Sequence, residues 1–336
     1  MRRLAPLLLC ACGAGATVAP PGGAPTATAP STTTPTGSPP TASATAVAPP
    51  RPGKLLTIPE ARRYMLALVN RDRATQHLPP VELDEGAPTR AGQRHAEDMA
   101  RLGFLGHWGS DGSVPEQRYT DAGGADITFE NALCFTDQTA RPLDPDPKID
   151  PADLERSEAA FFNEVPPNDG HRKNILRPGH KRIGIGIAQP VATPTERPVP
   201  CIAQELIYVY GTWGKLPARA KVGDVVHVEG TMGAEASFGG VGVARVDAPK
   251  PIPVAELNTR RSYTQPEPFR VYWPEGFVTP IPVKVSGRSF SIDLPLDDRA
   301  KPGLYEISVF AKLPGAPAGD KGFTSVSLRT ILVAPR

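Results

Sequence analysis

The sequence predicts an α+β chain in which helices come first and strands last, followed by a second region made only of strands. Three observations predict it. Between Thr57 and Phe162 apolar residues recur at helical spacing. From Ile183 to Tyr210 the apolar period shortens to two, and no repeated β-α-β alternation occurs anywhere in the chain. Beyond Lys215, short β-rich runs are separated by Gly/Pro turns.

The elements follow in order. Thr57-Ile58-Pro59-Glu60 has the form of a capping box. Behind it Ala61, Tyr64, Met65, Leu68 and Val69 repeat at i, i+3, i+4, i+7 and i+8, one apolar face of a helix that should end near Thr75. A second helix is expected over 87–102, with Ala91, His95, Met99 and Leu102 on one side. Asp150-Pro151 reads as an N-cap with proline at the first helical position, opening a third helix through Phe161 and Phe162. Ile183, Ile185 and Ile187 alternate with Gly184, Gly186 and Ala188 as in a strand, and Ile202 to Tyr210 is a second β-rich run. Past Lys215 strands are predicted at Val225–Glu229, Val241–Val246, Ile281–Val285, Ser289–Leu294, Leu304–Ala311 and Phe323–Val333, which suggests a small antiparallel sandwich of immunoglobulin-like type. Four segments result: 1–16 a signal, 17–54 a linker, 55–215 the helical and sheet domain, and 216–336 the all-β domain.

The N-terminus points to export. Met1-Arg2-Arg3 precedes a short apolar run, Leu4 to Leu9, which is how a secretory signal begins and is far shorter than a membrane span. Leu9-Cys10-Ala11-Cys12 resembles the lipobox of bacterial lipoproteins, in which the cysteine carries lipid; the lipidated residue would be Cys12, placing the protein at the bacterial cell envelope. The alternative is an ordinary signal cut after Ala14 or Ala16, giving a freely secreted protein. From Ala19 to Gly53 the chain is almost wholly Pro, Thr, Ala, Ser and Gly, with Arg51 its only charge. Such a stretch buries too little apolar surface to offset its ordering entropy, and its prolines give it a reach on the order of 100 Å. Charge is nearly balanced at 37 basic against 35 acidic residues, and no basic run follows Arg3, so nucleic acid is excluded as a partner. In an oxidising compartment Cys134 and Cys201 form an even pair for which a disulfide is the default, the alternative being two buried free thiols.

Among the histidines, His77 lies in a Pro-flanked loop, His180 on a turn where exposure is expected, His95 on an apolar helix face, and His227 in a strand of the second domain as a structural residue. Two others have distinctive surroundings. Gly103-Phe104-Leu105-Gly106-His107 follows the second helix directly, and Gly170-His171-Arg172-Lys173-Asn174-Ile175-Leu176 precedes the Ile-Gly-Ile-Gly-Ile strand. Phe129-Glu130-Asn131-Ala132 lies between them. The ordered series Leu68-Val69-Asn70-x-x-Arg73, His95-Ala96-x-Asp98-Met99-Ala100, Gly106-His107, Glu130-Asn131, Gly170-His171-Arg172-x-Asn174-Ile175-Leu176 and Ile183-Gly184-Ile185-Gly186 resembles the CAP superfamily, which includes cysteine-rich secretory proteins, wasp-venom antigens and plant pathogenesis-related proteins.

The resemblance implies an α-β-α sandwich whose cleft gathers two histidines and two acids. By motif these are His107, Glu130, His171 and an acid on the third helix, for which Glu164 is the choice and Glu158 the alternative. It also implies secretion, lipid or sterol binding in some members, and extracellular signalling or defence in others. This sequence departs from the pattern at Phe129, where glycine is usual, at Phe161-Phe162, where tryptophan is usual, and in an insert, 140–149, expected to wall or lid the cleft.

Imidazoles and carboxylates at one site suit a divalent cation such as Zn2+, or simply satisfy one another by hydrogen bonding. Two functions follow. One is a binding module whose cleft takes a small ligand, lipid, glycan or extracellular protein. The other is a metal-assisted hydrolase of peptide, phosphodiester or cell-wall bonds, with Glu130 or Glu164 as general base. The chain has no His-Glu-x-x-His motif and no Gly-x-Ser-x-Gly elbow, and Ser110 is near His107 only in sequence.

Overall fold

The computed structural model describes residues 11–12, 49–194, 197–260, 262–315 and 322–336. Cys10 and most of the signal and linker lie outside the described residues; of the lipobox cysteine Cys12 only the backbone is described, in a two-residue strand β1 (Ala11–Cys12).

The first domain runs through α1 (Ile58–Ala74), β2 (Glu82–Leu83), α2 (Ala87–Leu102), α3 (Pro115–Asp121), β3 (Thr128–Leu133), α4 (Pro151–Phe162), α5 (Gly170–Ile175), β4 (His180–Ala188) and β5 (Cys201–Tyr208). Its four-stranded sheet has the order β2-β4-β5-β3, antiparallel except where β2 joins β4. The period of two in β4 decides the layers. Ile183, Ile185 and Ile187 turn to one face and join Met65, Leu68, Val69, Leu154 and Phe161 of α1 and α4 in a single core cluster. Gly184 and Gly186 turn to the other, where a Cβ on Gly186 would lie 2.1 Å from the Gly92 carbonyl of α2 and one on Gly184 2.2 Å from the Pro88 backbone. The glycines thus let α2 lie directly on the strand, and the result is the α-β-α sandwich.

Helix ends match their local chemistry. The Glu60 carboxylate accepts from both the amide and the hydroxyl of Thr57 at 2.9 Å. Asp150 caps α4 through the Ala152 amide at 3.0 Å. Gly103 ends α2 in the left-handed region at φ 69°. The Asn70 amide side chain bonds the Val81 backbone in both directions, and buried Arg73 donates to the carbonyls of Pro79, Ile175 and Arg177, so these two motif residues tie α1 to its neighbours.

Cys134 and Cys201 form a disulfide with Cα atoms 4.4 Å apart, joining the end of β3 to the start of β5. It closes a separation of 67 residues, which in the chain-entropy account stabilises the fold by about 4 kcal/mol. Replacing both cysteines by alanine is expected to lower unfolding stability by about 2–5 kcal/mol in urea titration. An unchanged midpoint would contradict this.

The second domain contains β6 (Gly211–Trp213), β7 (Arg219–Lys221), β8 (Val225–Met232), β9 (Ser237–Val246), α6 (Val254–Leu257), β10 (Ser262–Tyr263), β11 (Arg270–Tyr272), β12 (Lys284–Ser286), β13 (Ser289–Pro295), β14 (Gly303–Lys312) and β15 (Phe323–Ala334). Two sheets, β11-β9-β14-β15-β7 and β12-β13-β8-β6, face each other across Phe238 and Phe290, whose rings stack at 4.4 Å, an arrangement consistent with the immunoglobulin-like expectation. β6 already pairs with β8, so residues 211–213 belong to this second sheet. The strand expected at Ile281–Val285 is shorter and later, at Lys284–Ser286, because Pro280 and Pro282 have no amide for a ladder. β1 pairs in parallel with β10.

The domains are joined along two lines. Residues 125–127 lie on the free edge of β15: Ile127 donates its amide to Val326 at 3.2 Å, and Ser327 donates its hydroxyl to the Ala125 carbonyl at 2.5 Å. A strap, residues 250–260 and 262–263, crosses the loop that carries His107. Ile252 donates to the Ser110 carbonyl at 2.9 Å, Leu105 donates to the Asn258 side chain at 3.0 Å, and the Tyr263 ring meets Trp108 edge-on at 5.2 Å. The insert 140–149 does not take the lid position expected of it. Its backbone bonds go to Arg101, Gln189 and Leu56, because its short polar turns dock on the ends of α2 and β4 and on the segment before α1.

Candidate functional site

His107 leaves the C-terminal glycine turn of α2 and points its Nδ1 at Glu130 Oε1, 2.9 Å away. Glu130 is on β3, alternating with Phe129. The Phe129 ring turns to the opposite side, against His180 and Tyr208 and beneath the Arg177 guanidinium at 4.3 Å, which accounts for an aromatic at this position. The second oxygen of Glu130 accepts from Arg118 Nη2 of α3 at 2.6 Å, and the same nitrogen donates to the His107 carbonyl at 3.0 Å. Glu130 and Arg118 are both 1% exposed.

His171 opens the other half. It begins α5, and Glu164 reaches it just beyond the end of α4. Glu164 Oε1 meets His171 Nδ1 at 2.7 Å, and Oε2 accepts from the His171 amide at 2.8 Å. Phe161 packs on the His171 ring at 4.9 Å. The His107 and His171 rings lie 6.2 Å apart. The structure therefore brings His107, Glu130, His171 and Glu164 together as two imidazole–carboxylate pairs. Glu158 does not join them; it turns into the α1 face and accepts from Gln204 at 2.6 Å. Two asparagines brace the halves: Asn174 donates to the Asn131 side chain at 3.0 Å and to the Glu130 carbonyl at 3.3 Å.

The electrostatics separate the carboxyls. Burial alone would raise Glu130, but Arg118, His95 and His107 outweigh it and hold the group well below the usual carboxylate range. Glu205, opposite Glu130 in the β3–β5 register, is pushed well up by burial and then by the Glu130 charge. It accepts from the Thr128 hydroxyl at 2.6 Å. Glu158 is pushed up to about 8, chiefly by burial and then by Asp72. Burial lowers His171 against the upward pull of Glu164, favouring the neutral imidazole. With Nδ1–H donated to Glu164, its Nε2 carries a lone pair, and that buried atom has no hydrogen-bond partner among the described residues.

The remaining histidines are placed as follows. His95 is buried, bonds the Gly106 carbonyl through Nε2 at 2.7 Å, and sits 3.7 Å from Glu130. His180, expected on an exposed turn, is 1% exposed; it starts β4 between the rings of Phe129 and Tyr208, so the aromatic pair encloses it. His77 and His227 are exposed, and His227 faces Asp293 at 2.7 Å. Ser110 donates to Asp98 at 2.7 Å and is thereby engaged away from His107.

Sequence reasoning missed Arg118 and Glu205. A short helix opening at Pro115 gives no sign that its arginine is buried. Glu205 did leave a signal, a lone acid with Gln204 inside an otherwise apolar strand run, the mark of a buried polar pair.

Among the described residues no group of three or more His, Cys, Asp or Glu is arranged to hold a metal ion. The arrangement offers two imidazoles whose outer edges are fixed by carboxylates, the pattern by which proteins orient metal-ligating histidines. A family model described as "CAP: Cysteine-rich secretory protein family" matches residues 66–190. No curated protein matches the chain.

Proposed function

Residues 66–190 form a CAP domain, and from that premise we propose that the protein is an exported binding module whose cleft takes a small oxygen-bearing ligand at His107 and His171, with a divalent cation such as Zn2+ as the bridging group. The observation that carries the reading is His171: a buried imidazole, its pKa lowered by burial, with Nδ1 fixed by Glu164 and Nε2 without a partner among the described residues. His107 is oriented in the same way by Glu130. Such a pair fits an ion completed by water or ligand, and the ion would supply a Lewis acid to hold a ligand oxygen. The protein's own carboxylates, Glu130 and Glu164, orient the two rings, and burial favours the neutral form of His171. Glu130, tied to Arg118 and held far down, is a poor base, and Glu164 is spent on the ring and amide of His171, so the hydrolase reading gains no support from the geometry.

The sequence supports the setting: a basic start, a short apolar run and a lipobox-like Leu9-Cys10-Ala11-Cys12 fit lipid attachment at Cys12 and display at a bacterial envelope by the proline-rich linker. Calorimetric titration of Zn2+ into the full chain tests the site. Binding is expected in the native protein, to vanish in His171→Ala and His107→Ala, and to weaken about 10–100-fold in Glu164→Gln. Absence of binding, or binding that survives His171→Ala, overturns the reading.

A further inference from the structure

The joint between the domains buries two carboxyls, one from each side, close enough for the charge of one to act on the other. Glu116 comes from α3 of the first domain and Glu306 from β14 of the second, and each is 1% exposed. Glu116 Oε1 accepts from the Tyr263 hydroxyl of the strap at 2.8 Å. Glu116 Oε2 and both oxygens of Glu306 have no hydrogen-bond partner among the described residues. Opposite Glu306 in the sheet stand Thr330 of β15 and Ala244 of β9, neither of which titrates. The adjacent arginines, Arg329 and Arg245, register with Ile307 and Tyr305 and so lie on the other face; they are engaged with the Gly214 carbonyl and Asp298 respectively. On the first-domain side Arg118 and Glu130 both act on Glu116, with opposite signs. At the neighbouring β15 edge, Asp126 accepts from Trp213 and is raised by burial to about 6.

A buried carboxyl without a donor is tolerated when protonated and costly when ionised. We infer that the docking of the second domain on the first is a pH-gated joint, closed in acid and loosened as Glu116 and Glu306 ionise. Burial raises both groups in the docked state, Glu116 adding to the rise at Glu306. A group whose docked value is raised keeps its proton longer docked than apart. Docking is therefore strongest below the ordinary carboxyl value near 4.5, and weakens about tenfold per pH unit per proton above it until the docked values are passed. The strap that carries Tyr263 also lies on the His107 loop, so loosening the joint frees the rim of the candidate site. The inference does not depend on what that site binds.

Hydrogen exchange on the full chain, corrected for intrinsic rates and in the presence of a chelator, reads the joint through the amides of Ile127 and Thr330. The first donates to Val326 across the joint and the second to the Thr120 hydroxyl. Protection at both should fall as the pH is raised from 7 to 9, beyond the value of about 6 to which Asp126 is raised, while core amides such as Ile185 hold. Glu306→Gln should remove most of that slope and raise protection at pH 9 by at least tenfold, and Glu116→Gln should do the same in part. Protection that is flat with pH in the native chain, or a slope unchanged in both variants, overturns the inference.

Discussion

Glu130→Ala is expected to destabilise the protein by about 3–5 kcal/mol, because it strands a charged arginine in the interior. Arg118 is 1% exposed, and among the described residues its ion pair is with Glu130 at 2.6 Å; its other bonds go to the carbonyls of Ser113 and His107. The change also removes the carboxylate that His107 Nδ1 faces and the charge that, after burial, raises Glu205. The mechanism has its own control. Removing both charges together, as Glu130→Gln with Arg118→Met, should cost less than Glu130→Ala alone, since the dominant penalty is the unpaired charge and not the missing attraction. Urea unfolding of the three chains decides it. A single variant within about 1 kcal/mol of the native protein would show that water reaches Arg118.

Gly186→Ala is expected to cost about 3 kcal/mol or more, since the added methyl would meet backbone and no rotamer relieves it. Its Cβ would fall 2.1 Å from the carbon and oxygen of the Gly92 carbonyl and 2.4 Å from the Gln93 amide nitrogen. The helix would have to lift from the strand, loosening the Ile187 amide from the Gln93 side chain at 3.1 Å and moving the helix end from which His107 departs. Alanine at the exposed Gly223 loop, where nothing lies within 4 Å of a Cβ, is not an equal comparison, because φ there is 86°. Gly53 is, with open space and no positive φ, and alanine there should be nearly neutral. Thermal unfolding distinguishes the two sites, and equal midpoints would contradict the close-packing account.

Much of this molecule is decided locally and was legible in the residues alone. The capping box at Thr57, the apolar stripe of α1, the bounds of α2 and the Ile-Gly alternation of β4 each depend on neighbours two to four positions away, and short-range sterics and hydrogen bonding fix them. The order of motifs from Asn70 to Gly186 likewise pointed to the α-β-α domain and to His107, Glu130 and His171. The tertiary structure decided what depends on groups distant in sequence. It brought Glu164, just past the end of α4, to His171, while Glu158, inside the helix, faces Gln204 in the core. It buried His180 between Phe129 and Tyr208, set Arg118 under Glu130, and laid the strap of the second domain, not the 140–149 insert, over the His107 loop. Burial and pairing of charge are properties of the space around a side chain. Spacing along the chain marks which residues are candidates, and only packing determines which carboxyl meets which imidazole.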